Sequence, residues 1–107
     1  MTIARQIKFK PGVLVLASSL CNYHVVDILI AAVETAPADY VVTVTSGCDG
    51  KHLENSSHYR GKAFDFRIRD LSGSQARTWT DRLRLALGNR YFVLLEPDHI
   101  HVQFNGD

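Results

Sequence analysis

The segment 62–68 alternates between an apolar and a mainly polar set of side chains, and this alternation restricts the fold more than any other feature of the chain. Such a period of two is typical of a β-strand, in which successive side chains point to opposite faces. The side chains predicted for the buried face are Phe64, Phe66 and Ile68. Those predicted for the polar face are Ala63, Asp65 and Arg67. The strand therefore has one face in the core and one polar face.

Two other segments have the periodicity of helices. Apolar residues recur at helical spacing over 22–35, and this helix must end at Ala36 because the residue before a proline avoids helical geometry. A second helix is predicted to end at Gly88. Its apolar stripe comprises Ala76, Trp79, Leu83, Ala86 and Leu87. The N-cap candidates are Ser18, Ser19 or Asn22 for the first helix and Ser72 or Ser74 for the second.

Three further segments favour strands. Residues 40–45 are rich in β-branched and aromatic side chains. Residues 91–95 and 100–104 are joined by the turn Glu96-Pro97-Asp98, which predicts a hairpin. An apolar stretch over 12–17 fits an entering strand or a packed loop. Because strands and helices are mixed, we predict an α+β fold with a small, mainly antiparallel sheet and two principal helices.

Length and charge exclude several classes of protein. The 107 residues are enough for one core, so we predict a single domain over 1–107. Twelve basic and eleven acidic residues give a formal charge of +1, so we expect no nucleic-acid partner. We also expect a monomer. Cys21 and Cys48 form no CxxC pair, which favours two reduced thiols, with one disulfide as the alternative.

The sequence has no segment with the pattern of a targeting signal. The N-terminus does not combine a basic start, a long apolar run and a small-residue cleavage site. No apolar stretch reaches the ~18 residues that a membrane helix needs. We therefore expect a chain without a signal peptide, cytoplasmic on synthesis, that does not insert into a membrane.

Four of the five histidines lie in a long polar loop or beside the last turn, namely His52, His58, His99 and His101. The loop, at 46–60, has about fifteen residues, and so long a loop in a small domain is usually functional. A catalytic zinc takes three protein ligands, usually imidazole and carboxylate, and keeps an open position for water. Gly61 lets the chain turn between His58 and Asp65, so that both side chains can converge.

The other candidate residues of the metal site lie in the final hairpin. His99 and His101 share one strand face, and Glu96 and Asp98 precede them as candidate bases. Each residue also has an ordinary structural interpretation: Asp65 can pair with a nearby arginine, and the histidines can be surface residues. Together the residues supply three possible metal ligands and a base. Spacing alone leaves open whether they form a metal site or have ordinary structural roles.

The pattern Ser-x-His-x-x-Gly-x-Ala-x-Asp over Ser56–Asp65 resembles the zinc signature of the M15 peptidases. The segment His99-Ile100-His101-Val102 is similar to the closing motif of that family, and Val44-Thr45-Ser46-Gly47 is similar to the segment before its signature. The resemblance extends from about Tyr40 to Phe104. It implies the fold shared by DD-peptidases and the Hedgehog signalling domain.

Specific roles follow from this resemblance. It implies one Zn²⁺ per chain, held by His58, Asp65 and His101. The catalytic base would be Asp98, three residues before the last ligand, or Glu96 if His99 were the ligand instead. His99 would orient the base or stabilise the oxyanion. Ser56 would help to bind substrate, and Lys51 or His52 would replace an arginine that many relatives have after the Ser-Gly step.

The implied activity is that of a zinc metallopeptidase, a hydrolase that cuts a stem peptide of bacterial peptidoglycan. It would act as a D,D-carboxypeptidase or as an endopeptidase of the endolysin type, at the cell wall, and a phage origin fits a chain of this kind. A non-catalytic zinc module that binds a peptide or a partner is the alternative. A structural virion or scaffold protein with incidental histidines is the third possibility.

Overall fold

A computed structural model of the protein describes residues 6–16, 22–47 and 62–106. These segments contain, in chain order, β1 (Ile7–Phe9), α1 (Tyr23–Thr35), β2 (Val42–Ser46), β3 (Ala63–Arg67), α2 (Gly73–Leu87), β4 (Tyr91–Leu95) and β5 (His99–Phe104). The prediction of an α+β fold with two helices is confirmed. The strand predicted over 62–68 is also confirmed as β3.

The five strands form one sheet in the order β1-β2-β3-β5-β4. β1 runs parallel to β2, and the other three neighbouring pairs are antiparallel, so the sheet is mainly antiparallel as predicted. β4 and β5 form the predicted hairpin. Because β3 is central and β5 lies beside it, side chains from the middle and the end of the chain become neighbours.

The core lies between one face of the sheet and the two helices. Phe64 and Phe66 of β3 are at most 1% exposed, which confirms that the apolar face of this strand is buried. Trp79 of α2 packs in the same core, and its indole N–H donates to Thr35 Oγ1 of α1 at 3.2 Å. The opposite face of the sheet carries the polar side chains of β3 and β5, among them Asp65 and His101.

Local capping sets the ends of both helices. Asn22 is the N-cap of α1, where its side chain accepts a hydrogen bond from the His24 backbone N–H at 2.9 Å. Ser72 caps α2 and forms a reciprocal capping box with Gln75. The C-cap of α1 is Ala36, in extended geometry before the proline, and the C-cap of α2 is Gly88, whose φ is 85°. Among the described residues, no helix combines the length and the apolar character that a membrane crossing requires.

The sequence left two alternatives for residues 12–17, an entering strand or a packed loop. The packed loop is confirmed, since Val13 and Val15 pack against the core. The strand alternative is wrong: the entering strand is Ile7–Phe9, whereas residues 12–16 form no strand. The reason is a turn at Pro11 and Gly12, where the proline has no N–H to give to a sheet and the glycine has a φ of 91°. The apolar stripe predicted for α2 is wrong at Ala86, which is exposed and lines a surface groove between α1 and α2.

Gly47, immediately after β2, is required by a close backbone contact. A Cβ atom placed on it would lie 2.3 Å from the carbonyl oxygen of Leu14. We expect Gly47→Ala to lower the free energy of unfolding by about 1–3 kcal/mol, the usual cost of overpacking, as measured by urea denaturation. Gly73→Ala is the matched control, since its Cβ would meet only the flexible end of Arg77 at 3.3 Å. Equal stability of the two variants would contradict this explanation.

Candidate metal centre

The polar face of the sheet brings together residues from β3 and β5. In the antiparallel register of these strands, Asp65 lies directly opposite His101 and Arg67 lies opposite His99. Residues directly opposite each other in an antiparallel pair share a face. Asp65 is buried, at 9% exposure, although it points away from the hydrophobic core. The sheet thus places side by side two residues that are 36 positions apart in the chain.

Asp65 and His101 are in direct contact. Nδ1 of the His101 ring lies 3.0 Å from Oδ1 of Asp65. The other ring nitrogen, Nε2, lies 2.6 Å from Oε1 of Gln103, which projects from the same face two residues later. The imidazole is therefore held between a carboxylate and an amide oxygen.

These acceptors affect the protonation of His101. Burial of the ring disfavours its charged form, but the hydrogen bonds to Asp65 and Gln103 and the charges of Asp65 and Glu96 outweigh it. The pKa of His101 is consequently raised above its ordinary value of 6.5. The surroundings of the His101 ring thus favour its positively charged, protonated form.

His99 is bracketed by the two carboxylates of the β4–β5 turn. Its Nδ1 lies 2.5 Å from Oδ1 of Asp98, and its Nε2 lies 3.0 Å from Oε2 of Glu96. The same Nε2 atom is 3.7 Å from Oδ2 of Asp65. Glu96 is therefore on the Asp65 side of the His99 ring. Asp98, whose side chain is 87% exposed, contacts the other ring nitrogen.

A β-bulge in β2 adjoins Asp65. The register of β2 against β3 shifts between Val44 and Ser46, and Ser46 becomes the residue opposite Asp65. The hydroxyl of Thr45 donates to the Asp65 backbone carbonyl at 3.4 Å. Bulges often lie beside functional sites, where they redirect side chains. Sequence periodicity does not predict this irregularity, because the segment 40–45 shows only the composition of a strand.

An apolar wall formed by Phe92 and Leu94 flanks the site on the β4 side. Leu94 is opposite His101 in the sheet, and Phe92 is opposite Gln103. The Phe92 ring approaches the His101 ring edge-on, with centroids 6.3 Å apart. Both side chains are partly exposed, at 44% and 38%. The strand was predictable from the sequence, and the spacing of two between Phe92 and Leu94 was the signal that both lie on the face of the site.

Several predicted site residues lie outside the described segments. They are Lys51, His52, Ser56 and His58, and the same holds for Gly61, Cys21 and Cys48. Their proposed roles stay predictions. Within residues 6–16, 22–47 and 62–106, no group of three or more His, Cys, Asp or Glu side chains is arranged to hold a metal ion. Two of the three predicted ligands, Asp65 and His101, are in the described part of the chain and in contact.

Asp65 and His101 are at ordinary hydrogen-bond distance, with 3.0 Å between Oδ1 and Nδ1. Two ligand atoms of one tetrahedral zinc, each bonded at ~2.0–2.2 Å, lie about 3.3–3.6 Å apart, so a shared zinc ion would require these two atoms to separate slightly. Metal-binding histidines also commonly donate their second ring N–H to an oxygen acceptor, and Gln103 is placed to be that acceptor.

A scan against protein-family models and searches of curated proteins and of solved structures found no match to this chain. The M15 resemblance is therefore a prediction that rests on the motif residues themselves. The site geometry provides independent support for the pairing of Asp65 with His101.

Proposed function

We propose that the protein is a zinc-dependent metallopeptidase that hydrolyses a peptide bond in peptidoglycan stem peptides. The observation that carries this proposal is the 3.0 Å contact between Asp65 and His101. The signature and the closing motif separately named these two residues as zinc ligands. The fold we propose is accordingly that of the DD-peptidases and the Hedgehog domain, within the broader α+β architecture.

The proposed ligand set is His58, Asp65 and His101, for one Zn²⁺ per chain. Two imidazoles and one carboxylate are a typical ligand set of a catalytic zinc, which leaves a coordination position open. When bound there, zinc supplies a Lewis acid that polarises a peptide carbonyl and lowers the pKa of water toward neutrality. The protein's own contribution is to orient the ligands and to move protons.

We place the general base at Glu96. Its carboxylate reaches the same ring nitrogen of His99 that faces Asp65, and its charge acts on His101. From this position Glu96 would accept a proton from the attacking water and deliver it to the leaving amine. Asp98, the base implied by the resemblance, contacts the outer nitrogen of His99, where it would hold the orientation of that ring.

His99 is the proposed oxyanion-stabilising group. Its Nε2–H, which lies beside Glu96 in the free protein, would shift to the substrate carbonyl oxygen when substrate binds and would stabilise negative charge as it develops, which is most effective in a partly buried site. The His99 side chain is 22% exposed, so it is shielded but still accessible from the polar face.

Substrate contacts are proposed from the motif positions. Ser56 and either Lys51 or His52 would bind the peptide, as the resemblance implies. The scissile bond would be a D-Ala-D-Ala, a cross-link or an L-Ala-D-Glu bond, and the enzyme would act at the cell wall. A phage-encoded lysis or entry protein fits this proposal.

The direct test is digestion of purified peptidoglycan, with the released fragments identified by mass spectrometry. We expect one type of peptide bond to be cut, loss of cutting with a chelator, and recovery on addition of zinc. Zinc binding without any fragment would contradict the peptidase and would support the non-catalytic binding module. Neither zinc binding nor cutting would support a structural protein with incidental histidines.

A further inference from the structure

Three polar side chains follow one another on the polar face of β5 and just past its end. They are His101, Gln103 and Asn105, each two positions after the last. Because side chains of an extended strand alternate between faces, this spacing puts all three in one row. The row runs from the zinc ligand His101 toward the end of the sheet.

Hydrogen bonds connect the row from end to end. The backbone N–H of Asn105 donates to the carbonyl oxygen of Arg90 at 2.8 Å, which anchors Asn105 to the start of the β4–β5 hairpin. The side-chain NH₂ of Gln103 donates to Oδ1 of Asn105 at 2.7 Å. The amide oxygen of Gln103 is thereby turned toward His101 and accepts from its Nε2–H at 2.6 Å.

The orientation of the Gln103 amide has a chemical consequence for the histidine. An amide oxygen accepts a hydrogen bond only from a protonated ring nitrogen, so Nε2 must bear a proton. Nδ1 faces the Asp65 carboxylate, which also only accepts hydrogen bonds, so without a metal this nitrogen carries a proton as well; a metal ion, which needs the lone pair of a deprotonated nitrogen, would take the place of the proton beside Asp65. Were the amide reversed, its NH₂ group would face Nε2 and would favour a lone pair there instead.

We propose that Gln103 and Asn105 are positioning residues that keep a proton on Nε2 of His101 and direct Nδ1 to the zinc position beside Asp65. This inference rests on the proposed zinc site but concerns which nitrogen binds and what fixes it. Phe92 assists by its location, since it lies opposite Gln103 and its ring forms a T-shaped pair with the His101 ring. The row and the wall together restrict rotation of the imidazole.

The test compares substitutions that keep or remove the acceptor. Gln103→Leu has similar size but no acceptor, whereas Gln103→Glu keeps an oxygen for Nε2–H. Zinc affinity is measured by competition with a chromophoric chelator. We expect Gln103→Leu to raise the Kd by about 10–100-fold, the usual effect of losing such an outer partner, and Gln103→Glu to change it by less than about 3-fold. Asn105→Ala should raise the Kd for zinc by a smaller factor. Asn105→Asp keeps the oxygen that accepts from Gln103, so its Kd should equal that of wild type.

A spectroscopic measurement separates positioning from general loss of structure. Isotope-edited NMR of the zinc-loaded protein should identify Nδ1 of His101 as the metal-bound nitrogen in wild type and in Gln103→Glu. In Gln103→Leu a second species bound through Nε2 should appear. In zinc-free protein at acidic pH, the Nε2–H signal should be protected from exchange in wild type and lost in Gln103→Leu.

Two results would overturn the inference: unchanged affinity and ring signals in Gln103→Leu, or an equal loss of affinity in Gln103→Glu. Failure of the proposed function gives a different result, in which wild-type protein itself binds no zinc or cuts no peptidoglycan. In that case the protection of Nε2–H in zinc-free protein still decides whether Gln103 holds the ring.

Discussion

Replacement of Asp65 by asparagine is expected to reduce bound zinc from about one ion per chain to below about a tenth, and to abolish peptidoglycan cleavage. Asparagine keeps the shape of the side chain but removes the charge that faces His101 Nδ1. Structural sites bind zinc with a free energy of ~10–16 kcal/mol in total. Loss of one of three protein ligands therefore costs roughly 4 kcal/mol of binding free energy, or about 10³-fold in affinity. The measurement is metal analysis of dialysed protein purified without a histidine tag.

A matched control for Asp65→Asn is Asp81→Asn. Asp81 is an exposed carboxylate on α2 that pairs with Arg84 at 3.4 Å, and an exposed pair of this kind contributes little to stability. The control should retain both zinc and activity. If Asp65→Asn retained a full equivalent of zinc, Asp65 would not be a ligand and the proposed site would be wrong.

The second large effect is expected for Glu96→Gln, which should lower kcat by about 10²–10⁴-fold without loss of zinc. Glutamine cannot accept and return a proton, but it preserves a hydrogen bond to Nε2 of His99, where Glu96 lies at 3.0 Å. Asp98→Asn should lower kcat by less than about 10-fold, because Asp98 contacts only the outer nitrogen of His99 among the described residues and would affect the ring orientation alone.

Steady-state kinetics on a defined stem peptide, with zinc content measured on the same samples, distinguishes the two carboxylates. A larger loss in Asp98→Asn than in Glu96→Gln would assign the base to Asp98, as the M15 resemblance implies. Full activity in both variants would exclude a carboxylate base from this turn.

Local features of the fold were predictable from the sequence because local chemistry determines them. The alternation of β3 placed Phe64 and Phe66 in the core and Asp65 on the other face. Pro37 and Gly88 ended the two helices where expected. β1 was missed because it has three residues and pairs with β2 through a contact distant in sequence.

The pairing of Asp65 with His101 required more than local chemistry. It depends on the order of β3 and β5 in the sheet and on their register, neither of which periodicity within one segment determines. The motif resemblance supplied the link. Gln103 was missed although the alternation of β5 extends to it, because a glutamine is not a typical metal ligand and its hydrogen bond to His101 is visible only in the folded chain.

The most direct test of the proposed metal centre is anomalous X-ray diffraction at the zinc edge from crystals of the zinc-loaded protein. We predict one anomalous peak per chain, ~2.0–2.2 Å from an Asp65 carboxylate oxygen and from Nδ1 of His101, with a His58 ring nitrogen at a similar distance. A peak bound by other residues, or a fully soaked crystal with no peak beside Asp65 and His101, would contradict it.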